Sequence, residues 1–350
     1  MKHELRVLRD PDPSSIPADC LTFLRTLDGP ALIHVTGTEP LRTRAIATLL
    51  HGNEPSGLRA LHRWLRRGER PRTSLLCLVG AVEAALHDEP FTHRYLPGVR
   101  DLNRCFREPF ADAPGQLARQ FLEELRQHAP ECLVDVHNTS GRSPAFAVAP
   151  REDPAHEALA SIFCCHLVIT DLTLGSLMEV SADPCPAITV ECGSAHDARS
   201  DEVAWTGLMR FVAAPDVLTP TRESQAIELY HHPVRLEFEP GTRLAWHESP
   251  QPGADLTLRT DLERFNFGTA DPAVPLGWLG SRGLGPLRVR SGSGRDVLAD
   301  YFCARDGRLH PARPLRFFMV TSSREMALAD CLLYATAERE PRRGVEAGSR

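Results

Sequence analysis

Lysine is all but missing from this sequence: Lys2 is the single one, and arginine supplies the rest of the basic charge. Basic charge as a whole is in deficit, with 40 Lys+Arg against 46 Asp+Glu and a net charge of -6. Binding to nucleic acid through a basic surface is not expected, because neutralising phosphates requires clustered cations. Uninterrupted apolar runs of about 18 residues are lacking too. His166 and Asp171 break the best candidate, so no membrane span is expected. Met1-Lys2-His3-Glu4 runs into polar sequence with no apolar stretch behind it, which argues against a signal peptide. The ten cysteines form no C-x-x-C pair, and a chain this long needs no disulfide stapling. Reduced thiols in a cytoplasm are the simplest account.

What is present is ordinary for a globular chain: 42% hydrophobic and 25% charged residues over 350 positions. At about 150 residues per domain, two domains are expected. Short apolar, β-branched runs alternate with helical patterns. Strands are predicted at Ala31–Val35, Arg44–Leu50, Ser74–Val79, Cys132–Val136, Leu167–Thr170 and Ile188–Val190, with Gly37–Pro40 as a turn. Helices are predicted at Leu58–Arg67, Gly115–His128, Pro154–Phe163 and Glu202–Phe211. Strands that are apolar on both faces imply an α/β fold whose mostly parallel or mixed central sheet is covered by helices. Prolines and short alternating runs (Val234–Phe238, Leu287–Arg290, Leu315–Val320) take over further on. They predict a smaller β-rich domain over 219–350, after a catalytic domain over 1–218.

Binding sites in such sheets form beyond the carboxyl ends of the strands. One strand leads into His51-Gly-Asn-Glu54 and another into His137-Asn-Thr. A His and a Glu separated by two residues in a tight turn can face one cation. Two histidines and a carboxylate from neighbouring strand ends make a three-ligand zinc set with a fourth position open to water. A third strand end carries Glu191, which is either a general base beside that water or a cap for the following helix. Asp135, two residues before His137 on the same strand face, either orients that histidine or makes a plain structural hydrogen bond. Cys164 and Cys165 are expected to be buried, and Cys192 to turn away from the Glu191 side.

Four motifs in register resemble the succinylglutamate desuccinylase/aspartoacylase family, a branch of the zinc-carboxypeptidase-like fold. They are His51-Gly-Asn-Glu54, Asp101-Leu-Asn-Arg104-Cys-Phe106, Asp135-Val-His137-Asn-Thr and Val190-Glu191-Cys-Gly193. The resemblance covers about residues 28 to 212, and Asn266-Phe-Gly-Thr269 with the segment after it resembles the family's small C-terminal β domain.

The resemblance implies one Zn2+ per chain held by His51, Glu54 and His137, with Glu191 activating the zinc-bound water for attack on an amide carbonyl. Asn103 and Arg104 match the pair that grips a substrate α-carboxylate, a role suited to a planar guanidinium. Arg94 resembles the arginine that stabilises the oxyanion, with Arg100 as its competitor. Departures concern the substrate. The aspartoacylase branch has an arginine where Ser181 stands, and a tyrosine from its C-terminal domain has no counterpart around Phe317–Arg324. The desuccinylase branch has an arginine near the place of Arg142, which either meets a second carboxylate, such as the acyl end of a succinyl group, or is an ordinary loop arginine.

The implied activity is hydrolysis of a small-molecule N-acyl amino acid, with a homo-oligomer left open. A zinc carboxypeptidase acting on short peptides is the alternative. A catalytically silent binding protein on the same fold is a third reading, against which stand the intact His51, Glu54, His137 and Glu191.

Overall fold

Alternation along the strands explains how the main sheet buries both faces. The computed structural model describes residues 5–182 and 185–337, with the backbone alone at 181 and 182, so the Ser181 side chain lies outside what is described. Among the described residues, nine strands form one sheet: β1 (Arg6–Arg9), β2 (Ala31–Val35), β3 (Glu39–Thr48), β4 (Thr73–Val79), β5 (Leu133–Thr139), β6 (Phe146–Ala149), β7 (His166–Ile169), β8 (Ala187–Ser194) and β9 (Glu228–His231). Their spatial order is β1-β2-β4-β3-β5-β8-β6-β7-β9. The sheet is mixed. Pairs β2–β4 and β6–β8 run antiparallel, and the other neighbours run parallel.

Side chains on a strand point alternately to opposite faces. On one face Ile33, Ile46, Cys77, Val134, Val136, Ile188, Val190 and Cys192 join the apolar sides of α1 (Cys20–Leu27), α2 (Ser56–Arg67), α5 (Pro154–Ser161) and α6 (Ala198–Ala213). On the other face Leu32, Ala45, Ala47, Leu76, Leu78, Leu133 and Ala187 pack under Leu117, Phe121 and Leu125 of α4 (Ala113–His128). A short helix, α3 (Val82–Leu86), lies between β4 and α4 in the chain. The alternation places Asp135, His137 and Glu191 on the α4-covered face, in line with Leu133 and Ala187. Cys192 points to the opposite core, as expected.

Helix ends follow local chemistry. The Asp112 side chain accepts the Gly115 N–H at the start of α4, and Gly68, at φ +65°, closes α2 in the left-handed conformation. The N-cap of α2 is Pro55, which offers no side-chain acceptor. The acceptor comes from the sheet instead: Asn138 Oδ1 takes the Ser56 N–H at 3.1 Å.

Two compact units divide at His232/Pro233, later than the expected boundary at 218, because β9 continues the main sheet beside β7. Among the described residues, the second unit carries two five-stranded sheets. One orders β13 (Thr269–Ala270), β18 (Leu315–Phe318), β19 (Leu333–Ala337), β10 (Val234–Phe238) and β15 (Leu287–Arg290). The other orders β11 (Leu244–Trp246), β12 (Leu256–Leu258), β14 (Gly277–Leu279), β17 (Arg308–Pro311) and β16 (Phe302–Arg305). Leu236, Leu258, Phe302, Phe317 and Leu333 are among the residues of their shared core. Among the described residues, no helix is long and apolar enough to cross a membrane.

Gly57 lets α2 sit directly on the sheet beside the site. A Cβ there would lie 2.3 Å from Thr48 Oγ1 and 2.9 Å from Val136 Cβ. Gly57→Ala gains helix propensity of up to about 1 kcal/mol, against an overpacking cost of about 1–3 kcal/mol. A lowered urea midpoint at unchanged m-value is expected, and an unchanged or raised midpoint would contradict the close packing.

Candidate metal centre

The strand β3 ends at Thr48, and the chain turns through Leu49 at φ +56° into His51 and Glu54. Glu54 N–H donates to His51 O at 3.2 Å, which closes a turn holding both side chains on one side. His137 lies inside β5, in register with Glu191 on neighbouring β8. His51, Glu54, His137, Asp135 and Glu191 are all buried.

Each histidine has a carboxylate behind it. His137 Nε2 is 2.7 Å from Asp135 Oδ2, and His51 Nε2 is 3.1 Å from Asp101 Oδ1. An ionised carboxylate only accepts, so each Nε2 carries the proton and each Nδ1 lone pair turns inward. There the two Nδ1 atoms stand 3.1 Å apart. Glu54 Oε1 is 2.9 Å from His51 Nδ1, and Glu54 Oε2 is 2.7 Å from His137 Nδ1. Lone pairs therefore face lone pairs across distances that only a proton or a metal ion makes favourable. Ligand atoms about 2.0–2.1 Å from a tetrahedral zinc are separated by about 3.3 Å, close to this spacing. The donor set fits zinc: two imidazoles, one carboxylate and a carboxylate partner for each ring.

The fields in the cluster point the same way. Burial alone would lower the His137 pKa, but Asp135 and Glu54 outweigh it and hold it well above the usual imidazole range. Burial would raise Glu54, yet His51 and His137 keep it well below the usual carboxylate range. Asp101 is lowered likewise, with His51 and Arg94 overcoming its burial.

Glu191 is the exception. Burial pushes its carboxyl up to about 7, against the pull of His137, and its Oε2 has no hydrogen-bond partner. A buried carboxylate oxygen left unpaired is costly unless it serves a site. The helix-cap reading does not describe this structure, where the cap of α6 is Asp197.

The arginines separate clearly. Arg94 reaches the centre, with Nη1 3.2 Å from Glu54 Oε1 and Nε 3.2 Å from Asp101 Oδ2. Arg100 instead pairs with Asp112 at the start of α4, at 2.7 Å. Asn103 is buried beside His137, its Nδ2 3.4 Å from His137 Nε2, and its Oδ1 accepts the Leu177 N–H at 2.9 Å. Arg104 is half-buried, donates to Asn103 O at 2.8 Å, and helps lower Asp101. Arg142 is exposed in the loop between β5 and β6, where its charge acts on Asp197.

Two contributors escaped the sequence reading. Asp101 stood in a quoted motif without a role, although an Asx turn onto Asn103 N–H (2.8 Å) follows from Asp-x-Asn. Asn138 ties Ser56, Gly193 O (3.0 Å) and, through its backbone N–H, Glu54 Oε2 (3.2 Å) together. Its place after His137 was the only signal. Cys165 is exposed rather than buried, because the helix before it ends at Ser161.

Comparison with known proteins bears on this layout of a mixed sheet carrying a His-Glu-His cluster at its strand ends. Residues 40–211 match the model of the succinylglutamate desuccinylase/aspartoacylase catalytic domain. Over these residues the chain belongs to this family. Its fold is similar to that of a succinylglutamate desuccinylase from Vibrio parahaemolyticus, at 16% identity and a TM-score of 0.57, over 92% of this chain and 95% of that one. The corresponding enzyme from Vibrio cholerae is 15% identical with a TM-score of 0.53, over 85% and 99% of the two chains. Murine aminoacylase 3 is 18% identical with a TM-score of 0.50, over 85% and 96%. At these identities the likeness is one of fold. Comparison with curated protein sequences finds no relative.

Two outcomes are expected. Asp135→Asn should weaken metal binding by about 10–100-fold in a chelator competition while leaving the fold intact; unchanged affinity would show that Asp135 does not orient His137. The second concerns the metal-free protein. A folded-state pKa raised from 4.5 to about 7 means that the Glu191 contribution is present below 4.5 and lost as pH rises through 7. Glu191→Gln should therefore be the more stable protein at pH 8, by on the order of 3 kcal/mol, with the gap closing below pH 5. Parallel melting curves across that range would contradict the burial argument.

Proposed function

We propose that this chain is a zinc-dependent amidohydrolase that cleaves the amide bond of a small N-acyl amino acid, giving a carboxylic acid and a free amino acid. The observation that carries the reading is the unpartnered, buried Oε2 of Glu191 beside a donor set whose lone pairs all converge. The names of the family and of aminoacylase 3 agree with the reaction class.

In this reading His51, Glu54 and His137 hold one zinc per chain. When bound, zinc supplies Lewis acidity for the scissile carbonyl and acidifies a water. Glu191 takes the proton as the water attacks and returns it to the leaving amine, a task for which a carboxyl raised towards 7 is well matched. Arg94, already held by Glu54 and Asp101, brings positive charge to the side where the carbonyl oxygen becomes negative. Asn103 and Arg104 take the α-carboxylate of the amino acid. Arg142, on its exposed loop, is assigned to a second carboxylate on the acyl group. The ten free cysteines support a reducing, cytoplasmic setting.

The test is a set of variants assayed on acetyl-, succinyl- and formyl-amino acids beside a panel of dipeptides. His51→Ala or His137→Ala should lose zinc and activity together. Glu191→Gln should keep zinc while turnover falls by roughly 10²–10⁴-fold. Arg104→Ala should keep zinc and lower kcat/KM by about 2–4 kcal/mol in free-energy terms, with most of the loss vanishing for substrates whose α-carboxylate is amidated. Preference for dipeptides, or an active Glu191→Gln enzyme, would overturn the proposal.

A further inference from the structure

Outside the centre, a second group of metal-ligating side chains closes around one point. His87, Asp88 and His93 each offer a ligand atom, and these atoms lie within 4.8 Å of one another. Both histidines direct Nε2 at the same oxygen, Asp88 Oδ2, each at 3.5 Å. That distance is too long for a good charge-assisted hydrogen bond, which runs to about 2.7–2.9 Å. It is close to the separation of about 3.3 Å between ligand atoms around a tetrahedral divalent ion. The two rings stand edge to face with centroids 4.9 Å apart, so both nitrogens approach the carboxylate without the rings colliding.

The backbone is shaped for this convergence. Asp88 and Phe91 both adopt left-handed φ values, +49° and +62°, where side chains other than glycine are uncommon. Phe91 N–H donates to Ala85 O at 2.9 Å, and Thr92 Oγ1 donates to Glu89 O at 2.6 Å, folding the segment back on α3. At its far end the loop is clamped to the turn after β3. Gly52 N–H donates to Arg94 O at 2.9 Å, and a Cβ on Gly52 would meet His93 O at 2.6 Å. The loop is thus pre-organised, which limits the ordering cost of chelation.

We infer that His87, Asp88 and His93 form a second, surface-accessible site for a divalent transition-metal ion, independent of the buried centre. Two imidazoles and a carboxylate select zinc, nickel or copper over magnesium and calcium, which take oxygen ligands. Asp88 is 75% exposed and the histidines 41% and 33%, so the remaining coordination positions open to water.

The experiment is calorimetric titration of the full chain with Zn2+ alone. Wild type should bind two equivalents, and His87→Ala/His93→Ala should bind one. In His51→Ala/His137→Ala, checked for its native circular dichroism, one equivalent should remain and should disappear when His87 and His93 are also replaced. Asp88→Asn keeps a residue that tolerates left-handed φ and should weaken the second equivalent without moving the melting temperature of the metal-free protein. Wild-type stoichiometry in His87→Ala/His93→Ala would overturn the inference whatever the buried centre does. Loss of the first equivalent alone would speak only against the buried centre.

Discussion

The His51–Glu54–His137 cluster depends on two carboxylate–imidazole pairs, Asp101 with His51 and Asp135 with His137. Each fixes a proton on Nε2 and so obliges Nδ1 to present a bare lone pair. Because the fold brings those two Nδ1 atoms within 3.1 Å, with both Glu54 oxygens alongside, the cluster is stable only around positive charge. A proton on His137 supplies it in the metal-free chain. Arg94 adds a fixed cation on the outer side of Glu54 and Asp101. Remove either pair and the rings are free to turn, and the demand for a metal weakens with them.

Glu191 is held under the opposite condition. It sits in register with His137 on the adjacent strand, yet no donor satisfies its Oε2. Glu54 is pulled well below its usual range by His51 and His137, while Glu191 is pushed up by burial. Two carboxylates that act on one another are thereby held in different states, one kept charged by its histidines and one raised by burial. The sheet does this through period two: Asp135, His137 and Glu191 share the face that α4 covers, and their chain neighbours belong to the opposite core.

Much of this arrangement was legible in the sequence, for physical reasons. Central strands such as Ser74–Val79 are apolar on both faces and announce a covered sheet, and His51, Glu54, His137 and Glu191 follow or end such strands. Edge strands carry no such signal. β1 reads Arg-Val-Leu-Arg and is largely exposed, and β9 was missed because its pairing to β7 spans sixty residues of chain. The antiparallel insertion of β6 between β8 and β7 is a long-range choice that local pattern does not encode. Loop-borne partners were harder still. Asp101 and Asn138 act by reaching across the fold, and Arg94 was separable from Arg100 only once Asp112 was seen to occupy the latter.

We propose above all that the converging donors of His51, Glu54 and His137 hold a metal ion. An anomalous difference map at the zinc edge, from crystals of the full chain given one equivalent of zinc, tests it most directly. The strongest peak is expected about 2.0–2.2 Å from His51 Nδ1, His137 Nδ1 and a Glu54 oxygen, with both Nε2 atoms still on Asp101 and Asp135. A map with no peak there, or with either ring turned so that Nδ1 leaves the cluster, would contradict it.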